Sequence, residues 1–325
     1  MVGAEHDALW ARDPRATPFQ SGAWLNAWWS HLGGGERHDL IVRDDTGAAI
    51  ASLPMFVWRD GDVRRLVPVG AGHSDYSDAL VDPLRSGEAI AGLWRAIAGI
   101  EDRWDELLLP DLRPDSPLLA SLPDGWISDD APSEVCPVLP LAGPDVLGAM
   151  SRSRRRKIVH DRNRASALGN VMTRFAAPDE ISEALDALFG LHAARWEALG
   201  ETGVLADPRV QAFHRAAAPA LATAGLLRLA VVRHGDRIVS VLLALADRRS
   251  AYSYAIGNDL SIPGQSFGTL AFLAVIDRAA QEGAASFDFL RGEEPYKYAW
   301  GAQATRTVRR TARRLGAPRV RNPGR

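Results

Sequence analysis

The chain has 325 residues, 46% of them apolar and 24% charged, a balance that fits a folded globular protein of about two domains. Its net charge of −2 excludes polyanion binding through bulk charge, so any basic surface has to be local. Cys136 is the only cysteine, which excludes an intramolecular disulfide and a cysteine metal cluster.

The first residues, "MVGAEHDALWARDP", lack the basic and apolar regions of a secretory signal. The longest apolar runs, such as "IVSVLLALA", are too short to span a bilayer. The expectation is a cytoplasmic protein, and the Ala- and Arg-rich composition has a bacterial look. Further along, "LIVRDDTGAAIASLPMFVWRD" reads as strand, turn, strand, with Gly47 in the turn. The glycine-rich loop "VGAGHSDYSDALVD" then offers His73, Asp75, Tyr76 and Asp78, and such loops carry binding residues out of proportion. A turn with self-capping Ser and Asp side chains would look the same. A helix over "PLRSGEAIAGLWRAIAGIE" and a strand over "WDELLLPDL" follow. Prolines and a Gly-Pro pair in "CPVLPLAGPDVLGAMSRS" place a join at residues 141–150, giving domains 1–145 and 146–325.

The second half opens on "SRSRRRKIVHDRNRA", a helix capped by Ser151 or Ser153. It holds eight basic residues, counting His160, from Arg152 to Arg164. Such a helix can meet phosphates, anionic lipid or RNA, or simply be a solvated face. In "DEISEALDALFGLHAARWEALG", His192, Arg195 and Trp196 share one helix face, facing either a substrate or the core. The hairpin "LAVVRHGDRIVSVLLALADRR" turns at Gly235, and "SAYSYAIG" reads as the next strand. Pro263 and Gly264 mark a sharp turn before a helix that starts near Thr269. Small residues feeding a helix start leave backbone N–H groups at the positive end of its dipole, a ready place for a pyrophosphate. An ordinary helix start would share this pattern. "SFDFLRGEEPYKYAWGA" begins as a buried strand and turns at Gly292 into a cluster of acids, tyrosines, Lys297 and Trp300. The final "RLGAPRVRNPGR" reads as a solvated basic tail.

Hairpin, helix and strand recur in the two halves: Arg43 matches Arg233, Ile50 matches Ile238 and Ser52 matches Ser240. The expectation is a duplicated α/β unit with a mixed, mostly antiparallel sheet. No Walker loop, metal-ligand spacing or nucleophile elbow is present.

"FDFLRGEEPYKYAW", "IPGQSFGTLAFLAVIDRAAQEG", "LHAARWEALG" and "FQSGAWLNAWWSHLG" together resemble the GNAT-superfamily acyltransferases of the CelD/BcsL group, relatives of the FemAB-type transferases. These segments run from Phe19 to Trp300. The resemblance implies two tandem GNAT-like domains and an acyl-CoA co-substrate without a metal. The second domain would bind the donor, with pantetheine between strands near Tyr254 and Ile256. Pyrophosphate would lie against Gln265, Ser266, Phe267, Gly268 and Thr269, although Leu270 stands where the family pattern has a small residue. The first domain would be a degenerate copy forming a wall of the acceptor cleft through Asp75 and Tyr76. His192, Arg195, Trp196, Arg291, Lys297 and Trp300 would contact substrate. Asp288 or Glu293 would be the base and Tyr296 the acid in transfer to an amine of a small molecule or amino sugar. Two alternatives stand beside this reading: a Fem-like transfer from aminoacyl-tRNA, and a silent GNAT-fold subunit of a polysaccharide or natural-product pathway.

Overall fold

The computed structural model describes residues 1–262 and 265–316. The expected turn at Pro263 and Gly264, and the tail from residue 317 on, lie outside the described residues. The chain forms two compact units, Met1–Glu134 with Arg306–Arg325, and Val135–Thr305. The expected join at residues 141–150 falls just after the long strand in which the first crossing occurs.

In chain order the strands are β1 (Glu36–Arg43), β2 (Ala49–Asp60), β3 (Val63–Pro68), β4 (Leu80–Val81), β5 (Glu106–Leu112), β6 (Trp126–Pro140), β7 (Val171–Phe175), β8 (Leu227–His234), β9 (Arg237–Ala246), β10 (Ser250–Asn258), β11 (Ser286–Asp288) and β12 (Gln303–Arg314). The helices are α1 (Ala4–Arg12), α2 (Gly22–Leu32), α3 (Ser86–Ala98), α4 (Pro117–Ala120), α5 (Val146–Ala149), α6 (Arg152–Ser166), α7 (Ile181–Glu197), α8 (Pro208–Thr223), α9 (Phe267–Gln281) and α10 (Pro295–Ala299).

In the first unit β1, β2 and β3 form an antiparallel meander, and β5 joins β3 in parallel. The β1–β2 turn forms where expected: Gly47 has φ 86°, and the Asp44 carboxylate accepts the N–H groups of Thr46 and Ala48. Helix α3 supplies the crossover from β3 to β5. Its Ala89, Ile90, Leu93, Trp94 and Ile97 recur at helical spacing and are buried against Leu53, Met55, Leu66 and Leu107. Each such aliphatic side chain contributes about 1.5–3 kcal/mol when removed from water.

The second unit repeats the plan. β8 and β9 are joined through Gly235 and Asp236, with Gly235 at φ 58°. β10 follows antiparallel to β9, α9 crosses over, and β11 joins β10 in parallel. Phe272, Val275, Ile276 and Ala279 of α9 pack with Leu242, Ala244 and Phe287.

The last strand, β12, is the arginine-rich "QATRTVRRTARR", a segment that the sequence alone leaves unassigned, and it pairs with β5 in the first unit. Arg310 explains the return. Its guanidinium is buried, donates to both Asp130 carboxylate oxygens at 2.8 and 2.5 Å, and reaches the Leu118 carbonyl. Asp130 is correspondingly held below its usual pKa, first by that hydrogen bond. Among the described residues no helix is long and apolar enough to cross a membrane.

Asp78 carries a measurable consequence. Burial pushes its pKa up to about 6, against the opposing hydrogen bonds from Ser116 and Ala79. A raised carboxyl pKa means the folded state holds the proton longer than the unfolded one. Stability therefore falls as pH rises through roughly 4 to 6. Asp78→Asn keeps the accepting oxygen and removes the charge. It should be more stable than the wild type at pH 8, by on the order of 2–3 kcal/mol. In thermal melts the gap should close at pH 4; an equal gap at both values would refute this.

Candidate functional site

The parallel partners β10 and β11 touch over three residues only, Ser250–Ser286, Ala251–Phe287 and Tyr252–Asp288. Strand β10 then continues to Asn258 while β11 ends. At the same point β10 bulges against β9, with Tyr254 as the extra residue, which re-aims the strand. The two strands thus open into a V, and the far half of β10 keeps one backbone edge without β11.

The divergence has a local cause. Asp288 accepts the Leu290 N–H at 2.8 Å, and Leu290 takes φ 56°, an uncommon left-handed conformation for leucine. Lys297, 3% exposed, then donates to the carbonyls of Leu290, Arg291 and Gly292 at 3.1, 2.6 and 3.2 Å and pairs with Glu294 at 2.9 Å. The chain after β11 is wound around one ammonium group. Lys297, expected to contact substrate, is held by these backbone carbonyls, and Asp288, an expected base, is 5% exposed and supports the turn.

A pocket of about 220 Å³ lies in the second unit beside this opening. The end of β10 and the loop after it supply Ile256, Asn258, Asp259 and Leu260. The start of α9 supplies Gln265 to Thr269 together with Phe272. Arg195 comes from α7, and Tyr296 and Trp300 come from the α10 segment. The expected donor residues Ile256, Gln265, Ser266, Phe267, Gly268 and Thr269 are thus gathered on one wall. Tyr254 is not on it; its ring meets His214 edge-on at 5.2 Å.

The α9 start is built for close approach. A Cβ at Gly268 would stand 2.8 Å from Asn258 Oδ1, so only glycine lets the helix seat against the strand end. Asn258 is fixed in turn by the Ser240 hydroxyl at 2.7 Å. Among the described residues no side chain caps the first turn of α9. Gln265 Oε1 is buried without a hydrogen-bond partner among the described residues.

Tyr296 is 36% exposed, with its ring against Phe272 and Phe289 at 5.6 and 6.3 Å. Burial and then the Glu294 charge push its pKa upward, while Arg195 opposes them. Its phenol therefore stays protonated at neutral pH. Of the trio on α7 only Arg195 reaches the pocket. His192 and Trp196 instead bond each other, Nε1 of the indole donating to Nε2 at 2.9 Å, beneath Gly203. Burial and Arg195 lower the His192 pKa, so the ring is neutral at pH 7. Glu293 is exposed, Arg291 is half-buried, and neither lines the pocket.

Asp75 and Tyr76 belong to the first unit and are both buried. Tyr76 meets Phe19 edge-on, and the neighbouring loop residues Ser74 and His73 accept hydrogen bonds from the indoles of Trp24 and Trp28. The "FQSGAWLNAWW" segment therefore anchors this loop. Sequence reasoning had not singled out Asn258, Asp259, Leu260 or Phe272. Their signal was position, directly after a strand that ends at a parallel opening.

Residues 152–298, most of the second unit, match the family model described as Acetyltransferase (GNAT) domain. No curated protein matches the chain. Among solved structures the whole chain is similar to FemX, at 13% identity and TM-score 0.67, covering 95% of this chain and 96% of that one. It is also similar to a conserved protein of unknown function from Bacteroides thetaiotaomicron VPI-5482, at 16% identity and TM-score 0.65, covering 96% and 97%. L-PGS from Bacillus licheniformis matches at 13% identity and TM-score 0.55, covering 94% and 93%. At these identities the likeness is one of fold.

If Lys297 holds the turn, Lys297→Met leaves three carbonyls unpaired and should cost about 2–5 kcal/mol. A melting temperature equal to the wild type's, with weakened anion binding, would return Lys297 to the ligand role.

Proposed function

We propose that the second unit transfers an acyl group from acyl-CoA to an amine of a small molecule or amino sugar. The observation that carries this reading is the opening between β10 and β11, which leads directly to the uncapped start of α9. The pantetheine arm has amide groups and lies along the free edge of β10 as an added strand would. The pyrophosphate meets the N–H groups and dipole at residues 266–269.

Chemistry follows from that placement. The amine nitrogen attacks the thioester carbonyl, a C–N bond forms, and the oxyanion is held by backbone N–H groups of the β10 edge. Collapse breaks the C–S bond, and Tyr296 gives its proton to the departing thiolate. Its raised pKa keeps the phenol protonated and rules it out as the base. Asp259 is the carboxylate of the pocket wall, and it is held by Arg237 at 2.7 Å and the Ser261 N–H at 2.8 Å. The ammonium proton therefore goes to water. Arg195, whose charge opposes that of Glu294 at Tyr296, orients an anionic part of donor or acceptor.

The first unit supports the reading by contrast. There the helix start after the crossover is already filled with acid: Glu88 lies in the first turn of α3 and is bound by Arg85 at 2.7 Å. A phosphate has no place beside that carboxylate. One donor site per chain is the expectation, with the first unit as the degenerate copy.

A second reading, transfer from aminoacyl-tRNA, is favoured by α6, whose arginines are largely exposed. It predicts activity that ribonuclease abolishes and binding that weakens steeply with salt.

Calorimetry with acetyl-CoA should give micromolar binding at one site per chain. Thr269→Asp places an acid where it favours the helix but repels phosphate, and should weaken binding at least about ten-fold without lowering stability. Tyr296→Phe should keep the affinity and lower the transfer rate by about 10²-fold. The wild-type rate should hold up to about pH 10, since a raised phenol pKa keeps the acid form. Absence of binding by CoA and acyl-CoA alike would overturn the reading.

A further inference from the structure

A second and larger cavity lies elsewhere, wholly within the first unit. It measures about 900 Å³, at the upper end of the range in which small-molecule sites fall. Its walls come from an alternation that breaks the usual rule. In β2, Leu53, Met55 and Val57 point into the core shared with α3, so Phe56 and Trp58 point to the other face. Leu66, Leu107 and Leu109 likewise face the core, which turns Val67, Leu108 and Pro110 outward. A solvated face of an antiparallel sheet normally carries polar residues at such positions. Here it is apolar, and α2 covers only part of it, through Trp28 stacked on Phe56 at 5.5 Å. Trp58 is left 46% exposed at the cavity. A concave site lined mainly by apolar and aromatic side chains is where small apolar ligands are held.

The charged groups of the lining give the ligand its sign. Arg64 is held by Asp105 at 2.7 Å, and Arg103 is held by Glu36 and Asp102 at 3.3 and 3.1 Å. The remaining carboxylate of the lining, Asp111, is buried, while Arg59 is exposed, lowers the Asp105 pKa through space, and its side chain makes no hydrogen bond or ion pair among the described residues. An apolar slot edged by a guanidinium without a direct ion pair complements a linear chain that ends in an anion. We infer that the first unit binds an acyl chain carrying an anionic end, either a carboxylate or a phosphate monoester. The inference rests on the first unit alone and does not depend on the donor site of the second.

The test is calorimetry on the full chain with hexanoate, octanoate and decanoate, then with octyl phosphate and octyltrimethylammonium. Affinity should rise about four-fold per methylene, because each added group is buried. Arg59→Glu lies on the surface and should leave the fold intact while weakening decanoate about ten-fold. Trp58→Ala should weaken every chain regardless of head group. Tighter octyl phosphate than octanoate assigns the phosphate monoester, and the reverse assigns the free fatty acid. The inference is overturned if decanoate fails to bind at millimolar concentration, if affinity is independent of chain length, or if the cationic chain binds as well as the anionic ones.

Discussion

One ammonium group decides where the second unit's site lies. Two parallel strands in register would ordinarily continue side by side, and the backbone of β10 would then be fully paired. Lys297 prevents this by gathering the carbonyls of Leu290, Arg291 and Gly292 around itself, while Asp288 fixes Leu290 in its left-handed turn. β11 stops after three paired residues, and β10 runs on with an open edge. A buried cation without partners would be prohibitively costly, so the turn and the lysine enforce each other. The opening, the pocket beside it and the placement of Tyr296 and Trp300 all follow from that turn.

The same plan, folded twice, has been put to two uses. Both units have a hairpin, a third strand, a crossover helix and a short parallel pair. They differ at the crossover helix. In the second unit the first turn of α9 is Phe267, Gly268 and Thr269, with no side-chain cap among the described residues. In the first, Arg85 and Glu88 close the equivalent position on themselves. On the proposed reading, these few side chains at one helix start are what separate the donor-binding copy from the other. The first unit instead keeps an apolar cavity on the α2 face of its sheet.

Much of this was legible in the sequence. Both hairpins and both crossover helices follow from periodicity and turn glycines, and the residues from Ile256 to Thr269 that the family resemblance singled out do line one pocket. What was not legible depended on partners distant in the chain. Lys297 reads as a charge near a strand end, and nothing local says that three carbonyls will surround it. His192 and Trp196 share a face with Arg195, but Gly203 closes over the first two and leaves the third at the pocket. β12 is not legible because the burial of Arg310 depends on Asp130, 180 positions away. The 900 Å³ cavity is assembled from α2, β2, β3 and β5, none of which signals it alone.

The central claim is that the donor lies along β10 and against the start of α9. Amide hydrogen exchange of the full chain, with and without acetyl-CoA, tests it residue by residue. The account predicts new protection at Tyr254–Asn258 and at residues 265–270, with residues 86–90 at the start of α3 unchanged. Protection concentrated at α3, or none along β10, would contradict it.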